Sequence, residues 1–248
     1  MDQPAELLAL LGGAMILGLC CARDAQAWVG EALTSHLRVC DRVLFLDDCS
    51  RDATPDIARA IDGVECYRQA RQWGRNEARD RNWLFAMAHR HNPAWCWWFD
   101  ADETLYAGTR EDILSVPPEV NALGSWLMNL WGDPQHYARD WSRAKSAVFR
   151  YIPEACLGYQ WTGQGPYQIH CGGRPRVPAY LDEGRHVASP IQELHWGWMD
   201  RAAADMKLCR YRVWDNAYRT TPDYRKLECE PKSVRPLPPP GSPREPRT

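Results

Sequence analysis

Apolar positions in the first half of the chain fall in short unbroken blocks, separated by stretches of helical period. The block at 14–21, AMILGLCC, predicts a buried strand, and AQAWVGEALTSHLRVC (25–40) sets Trp28, Leu33 and Leu37 at helical spacing. RVLFLDD (42–48) predicts a second strand. A helix follows at 54–62, with Thr54 as N-cap and Pro55 at its first position. GVECYRQ (63–69) predicts a third strand, and 76–91 a helix with Trp83, Leu84 and Met87 on one side. AWCWWFDADE (94–103) is the fourth strand. Alternation of this kind implies an α/β fold, a parallel sheet covered by helices on both faces.

The second half has a different texture. ALGSWLMNLW (122–131) and AKSAVFRYI (144–152) predict strands, and the polar GDPQHYARDWSR between them predicts a loop. Residues 158–178 mix Gly, Pro and aromatics, a composition of loops around a site. MDRAAADMKLCRYRVWDNAYR (199–219) predicts a helix capped by Asp200. Beyond Pro222 the chain turns to Pro, Arg and Ser. Residues 223–248 are therefore expected to be a disordered tail, made weakly basic by Lys232, Arg235, Arg244 and Arg247.

The apolar run from Leu7 to Cys21 is too short and too Gly-broken for a membrane-spanning helix. With Asp2 and Glu6 ahead of it and no basic residue before Arg23, it also lacks the basic start of a signal peptide. At 248 residues, 45% hydrophobic and 25% charged, the chain can bury one substantial core. Its ten cysteines show no Cys-x-x-Cys spacing. That argues against structural zinc and for a reducing, cytoplasmic compartment. A formal net charge of −2 argues against nucleic acid as a partner, and only the basic tail points toward one.

Ligands of parallel sheets bind at the carboxyl ends of the strands. Arg23 and Asp24 end the first predicted strand, Asp47 and Asp48 the second, Asp100 and Asp102 the fourth. Acids gathered on one rim by topology point to a cation, a ribose or both. The thirteen tryptophans suit core filling, with Trp126 and Trp131 as candidate sugar platforms.

Four stretches, in this order, resemble the family-2 glycosyltransferases of the GT-A fold: FLDDCSRDAT (45–54), RNWLFAMA (81–88), FDADE (99–103) and LHWGWMDRAAADMKLCRYRVWD (194–215). The resemblance implies a mixed, largely parallel sheet sandwiched by helices. It implies one domain over 1–222, with a nucleotide-binding half at 14–104 and an acceptor half at 105–222. The implied activity is metal-dependent transfer of a sugar from a nucleotide sugar, UDP being the family's habit, to an acceptor hydroxyl. Asp102 would hold Mn²⁺ or Mg²⁺, which prefer hard oxygen ligands, and His195 would add an imidazole ligand, which favours Mn²⁺ somewhat, or contact the diphosphate from the far side. Arg23, Asp24, Asp47, Asp48, Arg81, Asp100, Lys207 and Tyr211 would meet the donor. The first strand ends Cys-Ala-Arg-Asp where the family more often has Asn-Glu, and the family's late Glu-Asp pair is not recognisable. Asp140 is the first choice for the base that takes the acceptor's proton, with Asp133, Asp182 and Glu193 open. Two other readings are a catalytically degenerate sugar-nucleotide or glycan-binding protein, and a nucleotidyltransferase. CCARDAQAW lacks the glycines of the latter's phosphate loop.

Overall fold

The computed structural model describes residues 14–69, 76–154, 177–181, 184–214 and 228–243. The first half alternates β1 (Ile16–Ala22), α1 (Val29–His36), β2 (Arg42–Asp47), α2 (Thr54–Arg59), β3 (Val64–Arg68), α3 (Glu77–Ala88) and β4 (Trp95–Trp98). Then come β5 (Glu103–Ala107), α4 (Glu111–Leu114), β6 (Val120–Trp131), β7 (Asp133–Ala138) and β8 (Arg143–Arg150). β9 (Arg185–His195), α5 (Arg201–Trp214) and β10 (Val234–Pro236) complete the order among the described residues. The strands run β10-β7-β6-β8-β4-β1-β2-β3 across the sheet; β9 pairs with β6, and β5 with β9. β3, β2, β1 and β4 are mutually parallel, and β8 turns antiparallel against β4. The parallel part is the helix-flanked sheet that the alternation predicts, and the antiparallel strands make the whole the mixed, GT-A-like sheet that the resemblance implies.

Alternating side chains divide between the faces, which is why the strand blocks are apolar throughout. Ile16, Cys20, Val43, Phe45, Trp95 and Trp97 pack toward α1. Leu17, Leu19, Leu44, Leu46, Cys96 and Trp98 pack toward α3, through its Leu84 and Phe85. The aromatic run of β4 is thus core on both faces, and it anchors the turn that carries Asp100 and Asp102.

Several expectations are corrected. α3 buries Ala78, Arg81, Leu84, Phe85 and Ala88, while Trp83 is 39% exposed and meets Tyr67 edge-on. The helical stripe therefore falls one position from the predicted one. Thr54 is the first residue of α2 rather than its cap; Asp52 Oδ1 accepts from Thr54 N at 3.0 Å. The predicted loop 132–143 contains β7, which hairpins back on β6. Part of the tail expected to be disordered is placed: Val234–Pro236 pairs antiparallel with β7, and Leu237 N donates to Gln135 O at 2.7 Å. A proline-rich extended segment is poor core material but serves as an edge strand, where missing amides cost nothing.

Behind the β4–β5 turn lies a fully buried polar cluster. Lys145 Nζ bonds to Glu103 Oε2 and stands 3.3 Å from Glu193 Oε1. His36 Nε2 faces the same Glu193 oxygen at 3.3 Å, and Ser125 donates to Glu193 Oε2. Glu103 Oε2 also accepts from Asp100 N at 2.9 Å. Burial alone raises the Glu193 carboxyl, but Lys145, His36 and Ser125 reverse this and bring it down to about 2. The folded value lies below the ordinary 4.5, so Glu193 contributes stability above about pH 4.5, lost as pH falls toward 2. Acid unfolding is expected to steepen in that window and to flatten there in Glu193→Gln, as followed by circular dichroism. An unchanged profile in the variant refutes the assignment.

Candidate active site

The carboxyl ends of β1, β2 and β4 open into a cavity of about 400 Å³. The N-terminus of α3 closes one side, and the segment from Trp196 to Lys207 the other. The rims of β1 and β2 are stitched together. Asp24 N donates to Ser50 Oγ at 2.9 Å, Arg51 N to Asp24 Oδ1 at 2.9 Å, and Ala25 N to Thr54 Oγ1 at 2.7 Å. Asp24 holds a φ of +54°, a left-handed conformation that Asp tolerates better than most residues and that often marks a functional turn.

Asp24, Asp48, Glu77, Asp80, Asp100 and Asp102 line the cavity, with Arg23 and Lys207 its basic side chains. Arg23 is committed to Asp48 through an ion pair of 2.6 Å. Asp80 accepts from Gln69 Nε2 and Arg79 Nε, each at 2.7 Å. Its burial pushes the carboxyl up to about 6, in spite of Arg79.

At the β4–β5 turn three polar groups converge. Lys207 Nζ donates to Asp102 Oδ2 at 2.7 Å and to His195 Nε2 at 3.0 Å, and those two acceptors are 3.3 Å apart. The ring orientation of His195 follows from its other side. The Trp141 carbonyl accepts from Asn129 Nδ2 at 2.8 Å, which leaves Asn129 Oδ1 to accept from His195 Nδ1 at 2.6 Å. Nδ1 therefore carries the proton, and Nε2 presents its lone pair to the ammonium. Burial, then the Lys207 charge, lowers the His195 pKa, which keeps the ring neutral. Burial alone would raise Asp102; Lys207 and His195 hold it well below the usual carboxylate range. Gly197 leaves the room for this meeting, since a Cβ there would lie 2.3 Å from both Asp102 Oδ2 and Lys207 Nζ. Trp196 closes the wall: its backbone N donates to Asp102 O, its Nε1 donates to Thr104 Oγ1, and its ring stacks on Trp28 at 5.7 Å.

Of the residues singled out in the sequence, Arg23, Asp24, Asp48, Asp100, Asp102 and Lys207 line this cavity and His195 adjoins it. Asp47 does not line it. It is fully buried, accepts from Ser50 N, and pairs with Arg68 at 3.1 Å. Arg81 is buried over the Trp98 ring at 4.6 Å and bonded to Glu77. Tyr211 lies in α5 with its side chain outside the described residues, and Asp182 also lies outside them. Asp140 is away from the cavity; its carboxylate accepts from Lys232 N and Ser233 N and so pins the β10 segment. Asp133 bonds within the β7 turn, and Glu193 belongs to the buried cluster. Trp126 and Trp131 pack in satellite cores. Sequence reasoning misses Asp80, Glu77, Asn129, Trp28 and Trp196, whereas Gly197 stands two residues after His195 in the stretch that carries the resemblance. Asp140→Ala is expected to lower stability by about 1–2 kcal/mol through the lost tail contacts, leaving nucleotide affinity in place. A collapse of transfer activity without loss of stability would return Asp140 to the base role.

Among the described residues no helix is long and apolar enough to cross a membrane, and no group of three or more His, Cys, Asp or Glu side chains is placed to hold a metal ion. Asp102 and His195, the two residues expected to hold a cation, do direct lone pairs at one positive charge, the Lys207 ammonium between them.

Comparison with known proteins bears on this site. No curated protein matches the sequence. Among solved structures the chain is similar to TarS of S. aureus, with 17% identity and a TM-score of 0.39 over 49% of this chain and 22% of that one. A shorter form, TarS 1-349, aligns over 86% of this chain and 71% of its own, with 12% identity and a TM-score of 0.42. Glucosyl-3-phosphoglycerate synthase from Mycobacterium tuberculosis, solved with Mn²⁺, UDP and glucosyl-3-phosphoglycerate, gives 16% identity and a TM-score of 0.38, over 50% and 47% of the two chains. The chain thus spans less than half the length of full TarS or of that synthase. The model of glycosyl transferase family 2 matches residues 20–116, from within β1 to just beyond α4 and including every rim acid of β1, β2 and β4. Over residues 20–116, less than half of its length, the chain is similar to glycosyl transferase family 2.

Proposed function

We propose that this protein transfers a sugar from a nucleotide sugar to an acceptor hydroxyl, with a divalent cation held by Asp102 and His195. The observation that carries the reading is the charge of the cavity: six carboxyl side chains against Arg23 and Lys207. A diphosphate entering alone would meet net repulsion, and a cation arriving with it reverses the sign. Bound Mn²⁺ or Mg²⁺ supplies Lewis-acid neutralisation of the departing diphosphate. In this reading Asp48, steadied by Arg23, meets the base, and Asp100 meets the ribose. Lys207 offers its ammonium to the leaving diphosphate. Trp28 and Trp196 exclude water beside the transferred sugar. The domain division retains residues 14–104 as the nucleotide half. The ten cysteines, scattered without any Cys-x-x-Cys spacing, favour a reducing, cytoplasmic setting.

A thermal-shift panel of nucleoside diphosphates, with and without Mn²⁺, tests this on the wild type and Asp102→Ala. One nucleotide, UDP by family habit, is expected to raise the melting point with metal, by about 2.7 kcal/mol of stabilisation at a hundredfold excess over Kd. Asp102→Ala is expected to lose that response. Turnover of the matching nucleotide sugar should release the nucleoside diphosphate; release of pyrophosphate would make the protein a nucleotidyltransferase. No response to any nucleotide would overturn the reading.

A further inference from the structure

The groups at Asp102 show a conflict that the proposed function must resolve. Lys207 Nζ already uses the lone pairs of Asp102 Oδ2 and His195 Nε2, at 2.7 and 3.0 Å. The ammonium is enclosed further by the Trp198 ring, 4.8 Å from Nζ, and by the backbone at Gly197, where no side chain could be added without overlapping it. Asn129 holds the imidazole in the tautomer that makes this possible, so the ring cannot turn a proton toward the newcomer. One carboxylate oxygen and one imidazole nitrogen form a single seat. Two cations cannot share it, because a divalent ion there would stand about a hydrogen-bond length from a second positive charge.

We infer that Lys207 makes metal and nucleotide binding mutually dependent: it occupies the cation seat until a diphosphate gives its ammonium another partner. The inference rests on the proposed function and adds an order to it. Lys207 projects from the second turn of α5 into the cavity wall, so side-chain rotation alone moves its ammonium from the seat toward the cavity. Metal alone must displace the ammonium from two hydrogen bonds with no anion to receive it. Diphosphate alone meets the carboxyls that line the cavity. Together, the ion takes the lone pairs of Asp102 and His195, and Lys207 passes to the phosphate oxygens. Coupling between two ligands is reciprocal, so metal must tighten the nucleotide by the factor by which the nucleotide tightens the metal.

The test is Mn²⁺ binding, read from the free-ion electron paramagnetic resonance signal, with and without UDP or the nucleoside diphosphate selected by the thermal-shift panel. Wild type, Lys207→Met and Lys207→Gln are compared, with melting curves to confirm folding. In the wild type the nucleotide is expected to tighten Mn²⁺ by roughly tenfold or more, within the ordinary range of coupling between sites. Lys207→Met is expected to bind Mn²⁺ alone about tenfold more tightly than the wild type does, with the coupling reduced to what direct attraction between cation and diphosphate supplies. Lys207→Gln, which keeps hydrogen-bonding capacity without the charge, should fall between them. Mn²⁺ affinity that is the same with and without nucleotide in the wild type, or that fails to tighten in both variants, overturns the role of Lys207 and leaves the proposed function standing. Absence of any Mn²⁺ or nucleotide binding in all three proteins overturns both.

Discussion

Lys145→Met is expected to be among the most destabilising single substitutions in this protein, at about 3–5 kcal/mol, the cost of leaving a buried charge without its partner. Glu103 and Glu193 are both fully buried, and Lys145 bridges them from β8. Methionine fills a similar volume, so the loss isolates charge from packing. The effect should also reach the cavity, because Glu103 Oε2 holds the Asp100 amide and so sets the turn that carries Asp102. Denaturant melts check the first claim, and nucleotide affinity in the presence of Mn²⁺ checks the second. Adding Glu193→Gln to Lys145→Met should recover part of the loss, since one of the two stranded carboxylates is then neutral. A single-variant cost under about 1 kcal/mol would mean that the cluster is solvated and does not brace the turn.

Gly197→Ala is expected to show the opposite profile, a near-native melting point with nucleotide and metal affinity down by roughly a hundredfold, or about 2.7 kcal/mol. The added methyl would overlap Asp102 Oδ2 and Lys207 Nζ, both at 2.3 Å. Neither side chain belongs to the main core, so both can move aside without unfolding the sheet. They can do so only by abandoning His195 and each other. Isothermal titration of UDP with Mn²⁺ against the variant reads the effect directly. Affinity within twofold of the wild type would show that the Asp102, His195 and Lys207 arrangement is dispensable for binding. These two substitutions separate the support of the turn from the seat itself.

The aromatic strand ending in acids has a structural explanation. Trp95, Trp97 and Trp98 are buried on both faces of the sheet, and the chain leaves β4 through Phe99 into the Asp100–Asp102 turn. A turn tied to so much buried surface, and held from behind by Glu103 and Lys145, positions a carboxylate more tightly than an open loop would. Glu103 lies only one residue beyond Asp102 but points to the buried cluster instead of the cavity. Adjacent residues of an extended chain face opposite ways, and that reversal separates a site acid from a structural one.

Periodicity by itself determined the parallel half of the fold. Apolar blocks and helical stripes are local, and burial on both faces leaves an unbroken run such as RVLFLD or WCWW that cannot be read as anything but core. The rim acids were legible for the same reason, because strand ends are marked by the point where apolar runs stop. The spatial company of those acids was decided only by the tertiary structure. Asp47 and Asp48 are neighbours in the chain, yet one pairs with Arg68 beneath the rim and the other faces the cavity. Asp140 sits in a polar stretch that suits a base, but it pins the β10 segment, a partner 92 residues away in the chain. Asn129 and Lys145 carry no local signature at all. Their roles depend on distances between segments far apart in sequence, set when the sheet closes and the strands take their register.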